Sequence, residues 1–119
     1  MQDTTTTIES LKELVDEFVK ERDWRQFHSP KNMSMALAAE AAELMELYLW
    51  CESSESKNVT TEKQEAVSDE IADILYWVLH FSSETGIDLS KALQKKMIKT
   101  GKKYPIEKCK GRPCKYTEL

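Results

Sequence analysis

The chain has 119 residues, of which 40% are hydrophobic and 32% are charged, and its formal net charge at pH 7 is −4. This length and composition predict a single domain, residues 1–119, that is large enough to bury a core. No apolar run approaches the roughly 18–20 residues that span a bilayer, and the N-terminal segment lacks the pattern of a signal peptide. The odd number of cysteines, three, disfavours a disulfide scaffold and favours the reducing cytoplasm.

The first predicted helix runs from Ile8 to about Arg22. Residues 1–5 are expected to be frayed, and Thr6 and Glu9 have the spacing of a capping box. The apolar residues that recur at helical spacing are Ile8, Leu11, Val15 and Phe18.

An aromatic connector, RDWRQFHSPKN, follows at residues 22–32. Its Ser29–Pro30 pair disfavours helix just before the proline. Trp24, Phe27 and His28 can be read either as a small core cluster or as a stacking platform for a nucleotide base. The sequence leaves both readings open.

Residues 33–51 form the central predicted helix, with Asn32 as its N-cap. Its apolar stripe is Leu37, Ala41, Leu44, Leu47 and Tyr48. Glu40 falls inside that stripe, and Glu43 lies one turn on, at its edge. Partly buried carboxylates are costly unless something pairs with them, and two on adjacent turns repel each other. A bound cation resolves both problems.

A second acidic pair follows a polar segment, residues 52–61, that is predicted to be a loop. Thr61 is the expected cap of the third helix, residues 62–84, which should stop at Gly86. Its inward residues are predicted to be Val67, Ile71, Ile74, Val78 and Phe81. Glu70 and Asp73 flank Trp77 at the border of this stripe.

Antiparallel packing of these two helices brings four carboxylates together. Oxygen-only ligands favour a hard cation, Mg²⁺ or Mn²⁺, over zinc. The alternative is that both acidic pairs are solvated helix faces on a non-catalytic helical interaction module. That alternative gives no reason for Glu40 to lie between Leu44 and Leu47.

The fourth helix is predicted to begin after Asp88 and to end at Gly101, followed by a basic tail at residues 104–119. Its inward residues are expected to be Leu89, Ala92, Leu93 and Met97. Residues 91–119 contain ten Lys or Arg against two acids, and residues 1–90 contain seven against nineteen. The acidic body disfavours nucleic acid as a partner.

Several chemistries are excluded by the motifs that are missing. There is no GxxxxGK[ST] phosphate loop, no Glu-x-x-His of a di-iron bundle, and no catalytic context for His28 or His80. Without a convincing strand, the prediction is an all-α antiparallel bundle of four main helices, completed by oligomerisation. Four carboxylates beside a basic segment fit metal-assisted attack of water on a triphosphate.

Particular motifs also resemble a known family. EAAEL at residues 40–44 and DEIADILYW at residues 69–77 are similar to the Glu-x-x-Glu and Glu-x-x-Asp signature of the all-α nucleoside triphosphate pyrophosphohydrolases, the MazG-like superfamily. The aromatic connector, KKYP and the terminal GRPCKYTEL resemble its dCTP pyrophosphatase branch. The resemblance covers residues 8–119.

The resemblance implies hydrolysis of a (deoxy)nucleoside triphosphate, dCTP or a modified dCTP, to the monophosphate and pyrophosphate. It implies Mg²⁺ held by Glu40, Glu43, Glu70 and Asp73. The sequence leaves the general base open, with Glu43 as the candidate that orients the attacking water and Glu46 as the alternative. The resemblance also implies a homo-oligomer, a dimer or a dimer of dimers. The candidate substrate-binding residues are Trp24, His28, Trp50, Trp77, Lys96, Thr100 and Tyr104.

Two positions depart from that branch. Thr100 stands where it commonly has Asn, and Val15 where some members have His near the base. Both changes predict only a modest preference for dCTP.

Overall fold

The computed structural model describes residues 1–119 and contains helices and no strand. The all-α prediction is confirmed, and the four longest helices correspond to the four predicted ones. The helices are α1 Ile8–Glu21, α2 Pro30–Glu46, α3 Ser56–Glu62, α4 Gln64–Thr85, α5 Leu89–Lys103 and α6 Ile106–Cys109. Short 3₁₀ turns occupy Arg25–Phe27, Ser53–Glu55 and Tyr116–Glu118.

The start of α1 is capped by Thr7, so the expected cap at Thr6 is wrong. The Thr7 hydroxyl oxygen accepts a hydrogen bond from the Ser10 backbone N–H at 3.1 Å. The Thr6 hydroxyl instead accepts from the Gln2 backbone N–H at 3.0 Å, which closes a turn. The fraying of residues 1–5 stays a prediction.

The start and end of α2 both differ from the prediction. Ser29 is the N-cap, because its hydroxyl accepts from the Asn32 backbone N–H at 3.1 Å, and Pro30 occupies the first turn. Proline suits that place because its missing N–H is one that the first turn leaves unpaired. The Asn32 amide donates to the Phe27 carbonyl instead of capping the helix. The α-helix ends at Glu46, and a turn continues the chain to residue 50.

The predicted polar loop at residues 52–61 is largely helical. Glu52 and Glu55 form a capping box for the 3₁₀ turn, and α3 follows directly. Thr61 does not cap α4, because its hydroxyl donates to the Lys57 carbonyl inside α3. Reciprocal local bonds stabilise a short helix there, which a polar composition does not reveal.

The end of α4 and the start of α5 are as predicted. Gly86 ends α4 with φ of +70°, a conformation that glycine adopts without steric cost. Asp88 caps α5, because its carboxylate accepts from the Lys91 backbone N–H at 2.9 Å. Gly101 does not end this helix, which continues to Lys103.

The chain divides into two compact units, Met1–Gly86 and Ile87–Leu119. In the first, α4 packs against both α1 and α2. The buried apolar residues are Val15, Val19, Met33, Val67 and Leu79. The core thus lies along α4, between its two neighbours.

Five predicted core positions are exposed instead. Ile71 on α4 is 53% exposed, and Ala41 on α2 is also exposed. On α5, Leu93 is 63% and Met97 is 54% exposed, and Ala92 beside them is exposed as well. Periodicity identifies an apolar face but not whether a partner covers it within one chain. Completion of the bundle by oligomerisation stays a prediction.

None of the helices combines the length and the apolar character that a membrane span requires.

Candidate metal centre and substrate site

Three carboxylates from two helices converge in the first unit. Glu40 and Glu43 lie on adjacent turns of α2, and Glu70 lies on α4. One carboxylate oxygen from each of them lies within 4.8 Å of the other two. Three of the four carboxylates that were predicted to converge therefore lie together in the fold.

The register of α2 against α4 explains this convergence. Glu43 is the acid with the strongest Coulombic effect on Glu70. On Glu40, the Coulombic effect of Asp73 is stronger than that of Glu70. Pairing 43 with 70 and 40 with 73 is what two antiparallel helices produce. Asp73, one turn along α4 from Glu70, thus lies close enough to act on the charges of Glu40 and Glu70, although it is not one of the three converging carboxylates.

Two oxygens of the cluster are buried without a partner. Oε2 of Glu40 and Oε2 of Glu70 have no hydrogen bond. Burial, followed by the charge and proximity of neighbouring acids, raises the pKa of Glu40 above its ordinary value. Burial and the Glu43 carboxylate do the same to the pKa of Glu70. Unpartnered buried oxygens are costly, and a hard divalent cation with oxygen ligands fits them.

A series of aromatic rings extends along α4 from the acidic cluster. Trp77, one turn after Asp73, lies with its ring centroid 5.0 Å from that of Tyr76 and 5.1 Å from that of His28. Tyr76 contacts Phe18 at 6.2 Å, and Phe18 contacts Trp24 at 5.8 Å. These edge-on contacts link the connector to α4. They are compatible both with a small core cluster and with a stacking platform for a nucleotide base.

The profile of the MazG-like family matches residues 35–119. The chain is also 36% identical to dCTP pyrophosphatase 1 of Rattus norvegicus over 115 residues, 95% of this chain and 68% of that protein.

The chain belongs to the MazG-like family.

Two further comparisons support the assignment of this MazG-like protein to its family. It is 34% identical to dCTP pyrophosphatase 1 of Homo sapiens over the same 115 residues. A pyrophosphatase from Archaeoglobus fulgidus, known from its crystal structure, superimposes with a TM-score of 0.81 at 32% identity, covering 88% of this chain and 98% of that one. The chain is an enzyme of the nucleoside triphosphate pyrophosphohydrolase class, and the alternative of a non-catalytic interaction module is wrong.

The first unit does not bring the other predicted substrate-binding residues of the MazG-like enzyme together with the acidic cluster. Trp50 follows the end of α2 and is 93% exposed, so a single chain does not enclose it. Lys96 and Thr100 lie on α5, in the second unit, where Lys96 is exposed and Thr100 is half-buried. Tyr104 follows α5, and its ring centroid lies 6.1 Å from that of Tyr116.

Sequence reasoning missed a chain of three polar side chains. His80 on α4 is 1% exposed. Its Nδ1 lies 3.3 Å from Oδ1 of Asp16 on α1, and its Nε2 lies 2.9 Å from Nδ1 of His28. One sequence feature could have pointed to His80. It falls on the same helical stripe of α4 as Glu70, Asp73 and Trp77.

Two cavities in this unit lie away from the acidic cluster. One, of about 420 Å³, has Asp16, His80 and Glu84 in its lining. The other, of about 350 Å³, is lined by Leu14, Val15, Phe18 and Tyr76. Neither includes Glu40, Glu43 or Glu70, and the cluster is identified by the chemistry of its carboxylates.

Proposed function

We propose that this MazG-like enzyme hydrolyses dCTP, or a dCTP modified at C5, to the monophosphate and pyrophosphate with Mg²⁺ as cofactor. The observation that carries the proposal is the pair of unpartnered buried oxygens of Glu40 and Glu70 beside Glu43. The named activity of the relatives, dCTP pyrophosphatase, supports the choice of substrate. Mn²⁺ shares the preference for oxygen ligands and is the alternative cofactor.

Each acidic side chain has a place in this proposal. Glu40, Glu43, Glu70 and Asp73 hold the cation. A bound Mg²⁺ supplies neutralisation of phosphate charge and a lowered pKa of a coordinated water. Glu43 is exposed while Glu40 and Glu70 are half-buried, so its carboxylate has the freedom to orient the attacking water and accept its proton.

The aromatic side chains are proposed to bind the base. Trp24 is 42% exposed and Trp77 is half-buried, so each presents ring surface on which a base can stack. Stacking tolerates several bases, because every base has a π-face. We therefore expect pyrimidine deoxynucleotides to be favoured over purines by a modest margin. Trp50, Lys96, Thr100 and Tyr104 are proposed as further substrate-binding residues because the family resemblance implies that role.

The direct test is product analysis across a panel of triphosphates. The purified chain is incubated with dCTP, 5-methyl-dCTP, dUTP or dATP, with Mg²⁺, with Mn²⁺ or with a chelator. We expect one pyrophosphate per monophosphate formed, the highest kcat/KM for the cytosine substrates, and no turnover with chelator. Release of orthophosphate contradicts the proposed cleavage site, and a preference for dCTP of about ten-thousand-fold contradicts binding by stacking.

A further inference from the structure

We infer that Asp16 and His80 are positioning residues that fix the tautomer of His28, so that its Nε2 is a hydrogen-bond acceptor that favours an amino-bearing base over a keto base. The inference deepens the proposed function and rests on it. It starts from the chain of contacts Asp16 Oδ1 to His80 Nδ1 at 3.3 Å and His80 Nε2 to His28 Nδ1 at 2.9 Å.

The direction of these hydrogen bonds follows from the chemistry of the groups. A carboxylate only accepts hydrogen bonds, so His80 Nδ1 must carry the proton that it shares with Asp16. In a neutral His80 ring, Nε2 is then the acceptor. The Nδ1 of His28 must therefore donate to it, which leaves the Nε2 of a neutral His28 with a lone pair and no proton.

The neutral form of His28 is favoured by its surroundings. Burial lowers the pKa of His28 below its ordinary value, against an opposing effect of Glu84. Glu84 is itself paired with Arg25, with 2.8 Å between Oε1 and Nε. The groups that face His28 are thus His80 and Glu84 from α4, with Asp16 of α1 reaching it through His80.

The free nitrogen of His28 lies close to the candidate site. Nε2 has no hydrogen-bond partner within the chain and is not among the buried unpartnered atoms. The ring is edge-on to Trp77 at 5.1 Å, and Trp77 lies one turn from Asp73 on the same stripe of α4. An acceptor beside a stacking surface can pair with the amino group of cytosine, whereas the O4 carbonyl of uracil offers it no proton.

The first test reads the tautomers in the protein without substrate or metal. The ¹⁵N shifts of the imidazole nitrogens are measured by NMR at neutral pH. We expect His80 and His28 each to be protonated at Nδ1 and unprotonated at Nε2. A proton on Nε2 of His28 overturns the inference, whatever the enzyme hydrolyses.

The second test compares kcat/KM for dCTP and dUTP in matched variants. Asp16→Ala removes the acceptor for His80, and Glu17→Ala removes the neighbouring exposed carboxylate, which forms no hydrogen bond with either histidine. We expect wild type and Glu17→Ala to prefer dCTP about tenfold. Asp16→Ala should bring that ratio towards one through a raised KM for dCTP, with kcat changed little.

Substitutions of His80 separate positioning from packing. His80→Gln keeps an acceptor within reach of His28 and should retain more of the dCTP preference than His80→Leu. If His80→Leu does not fold, the Asp16→Ala result decides, since Asp16 is partly exposed. An unchanged dCTP to dUTP ratio in Asp16→Ala, in an active enzyme, overturns this inference alone. A wild type that hydrolyses no triphosphate overturns the proposed function and the base-reading role of His28 with it.

Discussion

Glu40 and Glu70 each bury one carboxylate oxygen without a hydrogen bond, and both lie beside other acids. Such residues destabilise the chain by itself and are tolerated where they serve a site. Their effects on activity and on stability should therefore have opposite signs. This contrast separates a metal site from an acidic surface.

We expect Glu40→Gln and Asp73→Asn each to abolish Mg²⁺-dependent hydrolysis while the fold is retained. Without metal, the free energy of unfolding should stay the same or rise by about 0.2–0.5 kcal/mol, the size of one like-charge repulsion on a helix. Pyrophosphate release and urea denaturation measure the two effects. Glu65→Gln, which removes an exposed acid from the first turn of α4, is the control and should remain active. Wild-type turnover of both site variants at low Mg²⁺ contradicts the four-carboxylate site.

Trp50 offers a second test at the residue scale, because 93% of it is exposed in the single chain. Loss of one base stack costs about 1–3 kcal/mol, so Trp50→Ala should raise KM for dCTP roughly 5- to 150-fold. Leu49→Ala removes a neighbouring exposed apolar side chain and is the matched control. If KM is unchanged in Trp50→Ala, that residue does not bind the base.

At the scale of the element, the start of α2 sets the positions of Glu40 and Glu43. Ser29 accepts the Asn32 backbone N–H, and Pro30 fixes the backbone of the first turn. A helix that begins at a defined residue presents its later residues on a defined face. The cap therefore contributes to the site although it lies about three turns away.

Ser29→Ala should destabilise the chain by about 1 kcal/mol, the usual cost of losing an N-cap. Urea denaturation measures this difference. Ser68→Ala, at an exposed position within α4 whose hydroxyl caps nothing, is the control and should be neutral or slightly stabilising. Equal stability of the Ser29 and Ser68 variants contradicts the assignment of the cap.

At the scale of the whole molecule, the acidic cluster links stability to pH and to metal. The pKa values of Glu40 and Glu70 are raised above 4.5 in the folded chain. Between pH 4.5 and the raised pKa values, the folded state thus binds more protons than the unfolded state. The stabilisation that comes from this difference is fully present below pH 4.5 and is lost as the pH rises through the raised pKa values.

The cluster's contribution to thermal stability in chelator should therefore fall as pH rises above 4.5, and Mg²⁺ should restore it. Because the ligands must be deprotonated to bind metal, the restoration should grow with pH. At a Mg²⁺ concentration of 100 Kd it amounts to about 2.7 kcal/mol. Thermal unfolding of wild type and Glu70→Gln, with and without Mg²⁺, measures both effects. A Mg²⁺ response that is equal in the two proteins contradicts binding at this cluster.

Exposed apolar side chains on α1 and α4 predict association between copies of the chain. Leu14, Phe18, Ile71 and Leu75 are each more than two fifths exposed, and large exposed apolar surfaces usually mark interfaces. We expect light scattering at micromolar concentration to give at least twice the mass of one chain. Ile71→Lys should weaken that association. A monodisperse monomer of the wild type contradicts the prediction.

The sequence by itself determined what depends on neighbours along the chain. Helical periodicity, the Asp88 cap and the glycine end of α4 were predicted correctly because each rests on contacts within a few residues. The spacing of Glu40 with Glu43, and of Glu70 with Asp73, predicted four converging carboxylates, of which Glu40, Glu43 and Glu70 lie together. The family resemblance then supplied the class of reaction.

Local competition made other predictions fail. Thr6 and Thr7 are equally plausible caps, as are Ser29 and Asn32, and the backbone geometry selects one of each pair. Polar residues 52–61 form a helix through a reciprocal capping box. The sequence offers these side chains, but the chain's path decides which of them reach a free N–H.

Only the tertiary structure decided which side chains from distant segments meet. Asp16 and His80 are 64 residues apart, and His28 and His80 are 52 apart. Their contacts depend on the register of α1 and the connector against α4, which packing across the core sets. Likewise, Ile71 and Leu93 match the periodicity of core residues, but more than half of each residue is exposed. Burial depends on all the elements together, so periodicity along one helix does not determine it.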